Sequence, residues 1–215
     1  MHDAYRKHAA AMEPILHHVL DPDKRQQLAT LVEDYYDQNI ATMTPRNLIV
    51  PYALPCLERT IARLQSTVDS ERMVELGTII LTETVKPVTI DTTTTPESCM
   101  NLFAGNAIRL EYLGIIFAIA CWASLTEIGH GKKQQEFISH LLRCSSACLH
   151  ITRRLAPMND MYMWLNHHHY ILIATEQGHS CEETWSCLGD VLADITKFGM
   201  YKNSYTTLNT PFFLT

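Results

Sequence analysis

The sequence contains few glycines and no long apolar run, and each absence excludes a class of protein. Only 8 of its 215 residues are glycine, and apolar side chains recur every three to four residues, which is typical of helices. No segment shows the alternation of a half-buried strand. The longest nearly uncharged apolar run, Leu113 to Leu125, has 13 residues, whereas a membrane-spanning helix needs about 20. We therefore predict a buried core helix at this run and no membrane partner.

Basic residues are too few and too scattered for autonomous DNA binding. The chain has 17 Lys and Arg against 23 Asp and Glu, which gives a formal net charge of -6. Up to Val85 there are 8 basic and 12 acidic residues, and from Lys86 onward 9 and 11. Because binding to nucleic acid through counterion release requires clustered cations, we predict no direct contact with nucleic acid and no DNA-binding residues.

Secretory features are also missing. Residues Met1 to His8 carry charges where a signal peptide would have an apolar stretch. The cysteines are an odd number, seven, and most of them lie within apolar or helical patterns: Cys56, Cys99, Cys121, Cys144, Cys148, Cys181 and Cys187. We interpret them as free thiols in a reducing compartment rather than as a disulfide framework.

Start and stop signals divide the chain into about eight helices, which predicts an all-α, compact multi-helix domain. Asp21-Pro22 predicts an N-cap followed by proline at the first helical position. Asn159 predicts the cap of a helix that stops at Gly178, and Ser180 with Glu183 fits a capping box. The predicted helices are one that ends near residue 19 and others at about 22–40, 52–65, 70–84, 106–127, 132–155, 159–178 and 180–199, and Pro96 opens a short turn of helix before Gly105.

One low-complexity segment, residues 86–95 (KPVTIDTTTT), interrupts this pattern. Its β-branched residues are poor helix formers, so we predict a connector here. The connector separates an N-terminal helical part, residues 1–85, from a second helical part, residues 86–215. We expect the two parts to pack as one unit.

Three consecutive histidines, His167, His168 and His169, form the most conspicuous candidate for chemistry. Successive side chains on a helix point about 100° apart, so these rings cannot converge on one ion or substrate. We predict that at most one of them faces the interior, in a structural or surface role. An alternative is an enzyme that cyclises, dehydrates or isomerises a metabolite, with His168 or His169 as acid and base and Tyr170 or Asp160 as helper.

A second candidate is the series His140, Cys144 and Cys148, in which a spacing of four residues stacks metal-ligand types along one helical stripe. The same stripe continues into apolar residues, and buried thiols commonly fill contacts between helices. We therefore interpret the series as packing and predict no metal site.

Signatures of catalysis are absent as well. The sequence has no G-x-S-x-G nucleophile elbow and no glycine-rich phosphate loop. The adjacent Glu182 and Glu183 are better explained as an acidic first turn, which suits the helix dipole. We predict no catalytic residue and no cofactor.

Five short motifs in the second part occur in an order that resembles a known family. They are FAGNAIRLE at 103–111, RLAPMND at 154–160, MWL at 163–165, TWSCLGD at 184–190 and FGMY at 198–201. These motifs are similar to F-T-G-E-N-L-R-W-E, R-L-x-x-x-N-D, L-W-L, W-x-x-L-G-D and L-G-L-H of the fungal-specific transcription factor domain, the middle homology region of zinc-cluster regulators. The resemblance extends over about 130 residues.

The resemblance implies a transcription-factor-like regulatory protein in the nucleus or cytoplasm, with a role in control of a fungal secondary-metabolite pathway. It implies action through a small-molecule ligand, another regulator or a homo-oligomer, and not as an enzyme. No C-x-x-C of a zinc cluster occurs in the chain. The glutamate- and arginine-rich helix that follows in the family is also absent, so we expect a truncated regulator. The apolar residues Phe212, Phe213 and Leu214 near its end are expected to need a partner surface.

The motif residues are interpreted as scaffold rather than as a site. Arg109 and Glu111 lie in an apolar helical pattern, so we predict that they pair with backbone groups or with opposite charge. Trp185 is predicted to bury a large surface near a helix start. The predicted scaffold residues are Gly105, Asn106, Arg109, Glu111, Asn159, Asp160, Trp185 and Gly189.

Overall fold

The computed structural model describes residues 2–38, 44–88, 95–126, 132–156 and 158–198. These residues form ten helical segments and no strand, which confirms the predicted all-α fold. The helices are α1 (His2–Leu20), α2 (Pro22–Gln38), α3 (Arg46–Ile49), α4 (Ala53–Ala62), α5 (Asp69–Thr84), α6 (Pro96–Ala104), α7 (Leu110–Thr126), α8 (Lys132–Leu155), α9 (Asp160–Gln177) and α10 (Glu182–Phe198).

Helix α7 lies at the centre of the fold. It contains the apolar run 113–125, and its residues from Leu110 to Cys121 are all buried, as expected for a helix that is apolar on every side. Helices α2, α8 and α9 pack around it, while α1 packs against α5 and α8. Helix α10 packs mainly against α9 and lies at the outside of the bundle.

Two of the predicted helix starts are formed as expected. The Asp21 carboxylate accepts hydrogen bonds from the backbone N–H groups of Asp23 and Lys24 at 3.0 and 3.3 Å. The Asn159 side-chain oxygen accepts one from the Tyr162 N–H at 2.9 Å. Helix α9 ends at Gly178, whose φ of 86° lies in the left-handed region that favours glycine.

The start predicted for α10, with Ser180 as the N-cap, is wrong by one residue. The helix begins at Glu182, so Cys181 occupies the N-cap position and Ser180 precedes it. The Thr184 hydroxyl donates a hydrogen bond to the Gly178 carbonyl at 2.9 Å. This contact ties the first turn of α10 to the end of α9 and takes the place of the predicted capping box.

Helix α7 also begins later than predicted, at Leu110 instead of residue 106. Two threonine hydroxyls accept the backbone N–H groups that precede the helix: Thr60 binds the N–H of Ile108 at 3.2 Å, and Thr84 binds that of Leu110 at 3.0 Å. Because these partners lie on α4 and α5, tertiary contacts hold the segment outside the helix.

Several predictions concern residues outside the described ones. They are most of the connector at 86–95, the predicted helix ends at 40, 127 and 199, and the apolar residues at 212–214.

Gly114 allows α7 to approach its neighbours closely. A Cβ at this position would lie 2.8 Å from the Cβ of Cys148 on α8 and 2.8 Å from both terminal methyl groups of Leu165 on α9. We expect Gly114→Ala to lower the free energy of unfolding by about 1–3 kcal/mol, since a packed core tolerates added volume poorly. Urea unfolding measures the change. The matched control is Gly189→Ala, where nothing lies within 4 Å and the intrinsic helix preference predicts a gain of up to about 1 kcal/mol.

Candidate functional site

The three consecutive histidines are more buried than predicted. His168 is 9% exposed and His169 is 7% exposed, so the prediction that at most one faces the interior is wrong. Helix α9 packs against α7, α8 and α10, and a helix enclosed on several sides buries side chains that point in different directions. The Nε2 atom of His168 lies 3.1 Å from the Thr44 hydroxyl, and burial lowers the pKa of both rings to about 4.

The series His140, Cys144 and Cys148 packs inside the fold. Cys144 and Cys148 are fully buried, and burial raises the pKa of both thiols, so they are poor nucleophiles. His140 meets His18 of α1, with 3.2 Å between the Nε2 and Nδ1 atoms. Among the described residues, no group of three or more His, Cys, Asp or Glu side chains is arranged to hold a metal ion.

Three of the predicted scaffold residues form one buried polar cluster. Arg109 and Glu111 are 2% and 0% exposed, and their side chains form an ion pair at 3.0 Å. The amide of Asn159 donates a hydrogen bond to the same Glu111 carboxylate at 2.9 Å. The prediction that Arg109 and Glu111 pair with opposite charge or backbone is therefore confirmed.

Arg109 also closes the C-terminal end of α5. Its guanidinium donates hydrogen bonds to the carbonyl oxygens of Glu83, Thr84 and Lys86 at 2.7, 2.6 and 2.9 Å. Carbonyl groups at a helix end lack the partners of those inside the helix, and one buried side chain donates to the carbonyl groups of Glu83 and Thr84 and to that of Lys86 just beyond the helix. The Glu83 carbonyl also accepts a hydrogen bond from the Lys86 N–H at 3.1 Å. Since Asn159 caps α9, the cluster joins the end of α5, the start of α7 and the start of α9.

Gly105, Asn106 and Asp160 have local roles. Gly105 follows α6 with a negative φ of -77°, and a Cβ there would lie 2.3 Å from the Asn101 carbonyl oxygen. Asn106 contributes its backbone carbonyl, which accepts a hydrogen bond from Arg63. Asp160 is half-buried in the first turn of α9, and burial raises the pKa of its carboxyl group.

Trp185 and Gly189 do not take the positions predicted for scaffold residues. Trp185 is 63% exposed, so the prediction that it buries a large surface is wrong. The residues of α10 that face inward are Thr184, Val191 and Asp194, and this orientation of the helix turns Trp185 toward solvent. Gly189 is exposed in the middle of α10, with nothing near its Cβ position.

A polar cavity lies where the end of α8, the start of α9 and the last turns of α10 meet. Its volume is about 240 Å³. It is lined by Arg153, Ala156, Met158, Tyr162, Asp190, Ala193, Asp194 and Lys197. Arg153 directly precedes the motif at 154–160, and Asp190 ends the motif at 184–190, so two of the family-like motifs border one cavity. None of the three consecutive histidines lines it.

Asp194 organises the polar wall of this cavity. It is 4% exposed, and its Oδ2 atom accepts hydrogen bonds from the Tyr162 hydroxyl at 2.5 Å and from Arg153 and Asn166 at 3.0 Å each. Its other oxygen lies 3.8 Å from the Lys197 ammonium. A buried carboxylate with several donors is held in one orientation, so the wall is preorganised.

The charges of the cavity are balanced. Arg153 pairs with Asp190 at 2.6 Å and with Asp194 at 3.0 Å. Burial alone would lower the pKa of Arg153, but its hydrogen bonds with Asp190, Tyr162 and Asp194 raise it above its usual value. Burial and the hydrogen bond to Asp194 raise the pKa of Tyr162 to about 12. Arg153 therefore stays charged and Tyr162 stays protonated at neutral pH, which suits binding better than proton transfer.

Sequence reasoning missed Tyr162, Arg153 and Asp194. A signal was nevertheless present, because Asp190 and Asp194 are four residues apart, as are Tyr162 and Asn166. Such pairs share one face of a helix. The spacing alone does not show which helices face each other, because that depends on tertiary packing.

Within the described residues, the helices are all too short or too polar to cross a bilayer. Comparisons with protein-family models, with curated proteins and with solved structures found no significant match to this chain.

Proposed function

We propose that this chain is a regulatory binding module that takes up a small polar metabolite in the cavity between α8, α9 and α10 and does not itself contact DNA. The observation that carries the proposal is the cavity wall, where two cations and two carboxylates surround a space of about 240 Å³. Small-molecule sites combine apolar lining residues with a few fixed polar groups that orient the ligand. Here Met158, Ala156 and Ala193 supply the apolar part.

The cavity chemistry favours a ligand with both an acidic and a basic or hydroxyl group. The Lys197 ammonium is 70% exposed and is held only loosely, at 3.8 Å from Asp194, so it is free to turn toward an anionic group. The Asp190 carboxylate is 51% exposed and can accept a hydrogen bond from the ligand. Groups of both signs on one wall therefore select for polar ligands that present complementary groups.

A regulatory role in the nucleus or cytoplasm, in fungal secondary-metabolite control, is part of the same proposal. Its support is the order of motifs that resemble the fungal-specific transcription factor domain, two of which border the cavity. This support is an analogy with a family and not a property of the site. The net charge of -6 agrees with a module that acts through ligands or proteins and not on DNA.

The test is mass spectrometry of the purified full chain after incubation with a metabolite extract from its own organism. We expect a small polar compound to be retained unchanged by the natural chain and lost from the Lys197→Gln and Asp190→Asn variants, since each removes one charge from the cavity wall. Arg46→Gln is the matched control, because Arg46 also pairs with two carboxylates, Glu33 and Asp37, but does not line the cavity.

Other results would contradict the proposal. Chemical conversion of the compound would favour the enzyme alternative and make His168 and His169 the next residues to replace. Equal retention by the cavity variants and the Arg46 variant would place the binding elsewhere.

A further inference from the structure

The solvent-facing side of α10 is an apolar surface that no other part of the described chain covers. We define the α10 outer face by the seven exposed residues within about 60° of Gly189 on a helix of 100° per residue. They are Glu182, Trp185, Ser186, Gly189, Leu192, Ala193 and Thr196. Trp185 and Leu192 are 63% and 45% exposed, and from Trp185 to Thr196 the face carries no charged side chain.

Gly189 lies at the centre of this face. Its Cβ position meets nothing within 4 Å, so packing inside the chain does not require a glycine. Glycine within an exposed helix is unfavourable compared with alanine. A glycine flanked by Ser186 and Ala193 leaves a shallow depression between two large side chains, Trp185 and Leu192, and lets another backbone approach closely.

We propose that the α10 outer face binds the same face of a second copy of this chain, with the two helices antiparallel and a two-fold axis through Gly189. In such an isologous interface, residues equally far before and after the axis meet each other. Trp185 and Ser186 then lie at the same height as Leu192 and Ala193 of the second copy, and Gly189 faces its Gly189.

The face brings apolar side chains together in this register. Trp185 and Leu192 lie on one side of the α10 outer face, so the antiparallel two-fold places Trp185 of each copy beside Leu192 of the other, while Ser186 and Ala193 form the opposite side. The two glycines on the axis allow the backbones to come close.

Charge agrees with the same register. Glu182 and Glu183 lie in the first turn of α10 and Lys197 lies in its last turn. In the antiparallel pair, the Lys197 ammonium of each copy comes close to Glu182 of the other, whereas a parallel pair would bring like charges together. The ends of the helices thus supply complementary charge around an uncharged centre, which is the usual layout of a protein interface.

The size of the face predicts a weak dimer. Seventeen helical residues span roughly 25 Å, and one helix face covers less than the roughly 800 Å² per partner of a standard interface. We therefore expect an equilibrium between monomer and dimer that depends on concentration.

Sedimentation velocity of the full chain, over a concentration series from about 1 µM to about 1 mM, tests the proposal. We expect dimers at the upper end of the series. Gly189→Glu places two like charges on the axis and is expected to weaken association at least about tenfold, and Trp185→Ala to weaken it about tenfold or more. The matched controls are Thr175→Glu, on an exposed position of α9, and Leu102→Ala, an apolar side chain that is 41% exposed on α6. Neither control should alter association.

Gly189→Ala keeps the proposal testable if the other variants unfold. Alanine is expected to raise the thermal stability of the monomer, because it favours helix, and at the same time to weaken the dimer, because a Cβ on each side separates the backbones. A purely structural role for Gly189 would not produce these opposite changes.

Three results would overturn the proposal. The first is a chain that stays monomeric across the series. The second is a dimer that tolerates both Gly189→Glu and Trp185→Ala. The third is protection of Trp185 from solvent quenchers in the monomer, because residues 199–215 of the same chain would then cover the face. Ala193 of the α10 outer face and Lys197 beside it also line the cavity, whereas Gly189 and Trp185, which carry the test variants, do not, so failure of the metabolite experiment leaves the dimer proposal in place.

Discussion

Replacing Arg109 with methionine is expected to lower the free energy of unfolding by about 3–5 kcal/mol, the cost of breaking a buried ion pair from one side. The change leaves the Glu111 carboxylate, which is 0% exposed, with Asn159 as its remaining side-chain donor. It also removes the donors of three carbonyl groups at the end of α5. Urea unfolding followed by circular dichroism measures the loss.

The double variant Arg109→Met with Glu111→Met separates the two contributions. It removes both charges, so we expect it to be more stable than Arg109→Met alone, with the remaining loss due to the carbonyl groups of α5. Arg46→Met is the surface control: its ion pairs with Glu33 and Asp37 are about half exposed, and exposed pairs contribute at most about 1 kcal/mol. Equal losses for Arg109→Met and Arg46→Met would show that the buried cluster does not stabilise the fold.

Lowering the pH from 7 to 5 is expected to destabilise the fold strongly, because the unfolded chain binds protons at three histidines that burial keeps neutral in the folded state. Burial, assisted by neighbouring cationic groups, lowers the pKa of His18, His168 and His169 to about 4 each. A histidine whose pKa is lower in the folded than in the unfolded state makes its full contribution to stability above the unfolded-state pKa, which is about 6.5. That stability is lost as the pH falls from about 6.5 toward about 4, at roughly 1.4 kcal/mol per pH unit for each histidine.

Urea unfolding at pH 7, 6 and 5 measures how the free energy of unfolding changes with pH. These pH values lie above the range in which most carboxyl groups titrate. His168→Gln is expected to reduce the slope by about one proton, while glutamine can keep a hydrogen bond to Thr44. His17→Gln is the control, because His17 is 61% exposed, so this variant removes an imidazole from the surface and not from the core. A stability that stays constant between pH 7 and 5 would be inconsistent with neutral, buried rings.

The architecture could be predicted from the sequence because it depends on local preferences. Apolar residues at helical spacing, the caps at Asp21 and Asn159 and the glycine at 178 act within a few residues of the chain, so the structure reproduces them. The prediction that Arg109 and Glu111 pair with backbone groups or with opposite charge also follows from the sequence, since charged side chains in an apolar helix need partners.

The errors occurred where a side chain's surroundings come from another helix. The orientation of α10 toward α9 exposes Trp185, and three neighbouring helices bury both His168 and His169. The late start of α7 has the same origin, because hydroxyl groups on α4 and α5 hold its first N–H groups.

For the candidate site as well, some features follow from the sequence and others only from the packing of the helices. The sequence by itself determined that the chain is helical, that residues 113–125 form a core helix, and that charges at 109 and 111 must be paired. Only the tertiary structure decided that Arg153, Tyr162 and Asp194 enclose one cavity and that the other described residues leave the α10 outer face uncovered. Helix formation depends on contacts three and four residues apart, whereas a cavity or an open face depends on how helices distant in the chain are oriented against each other.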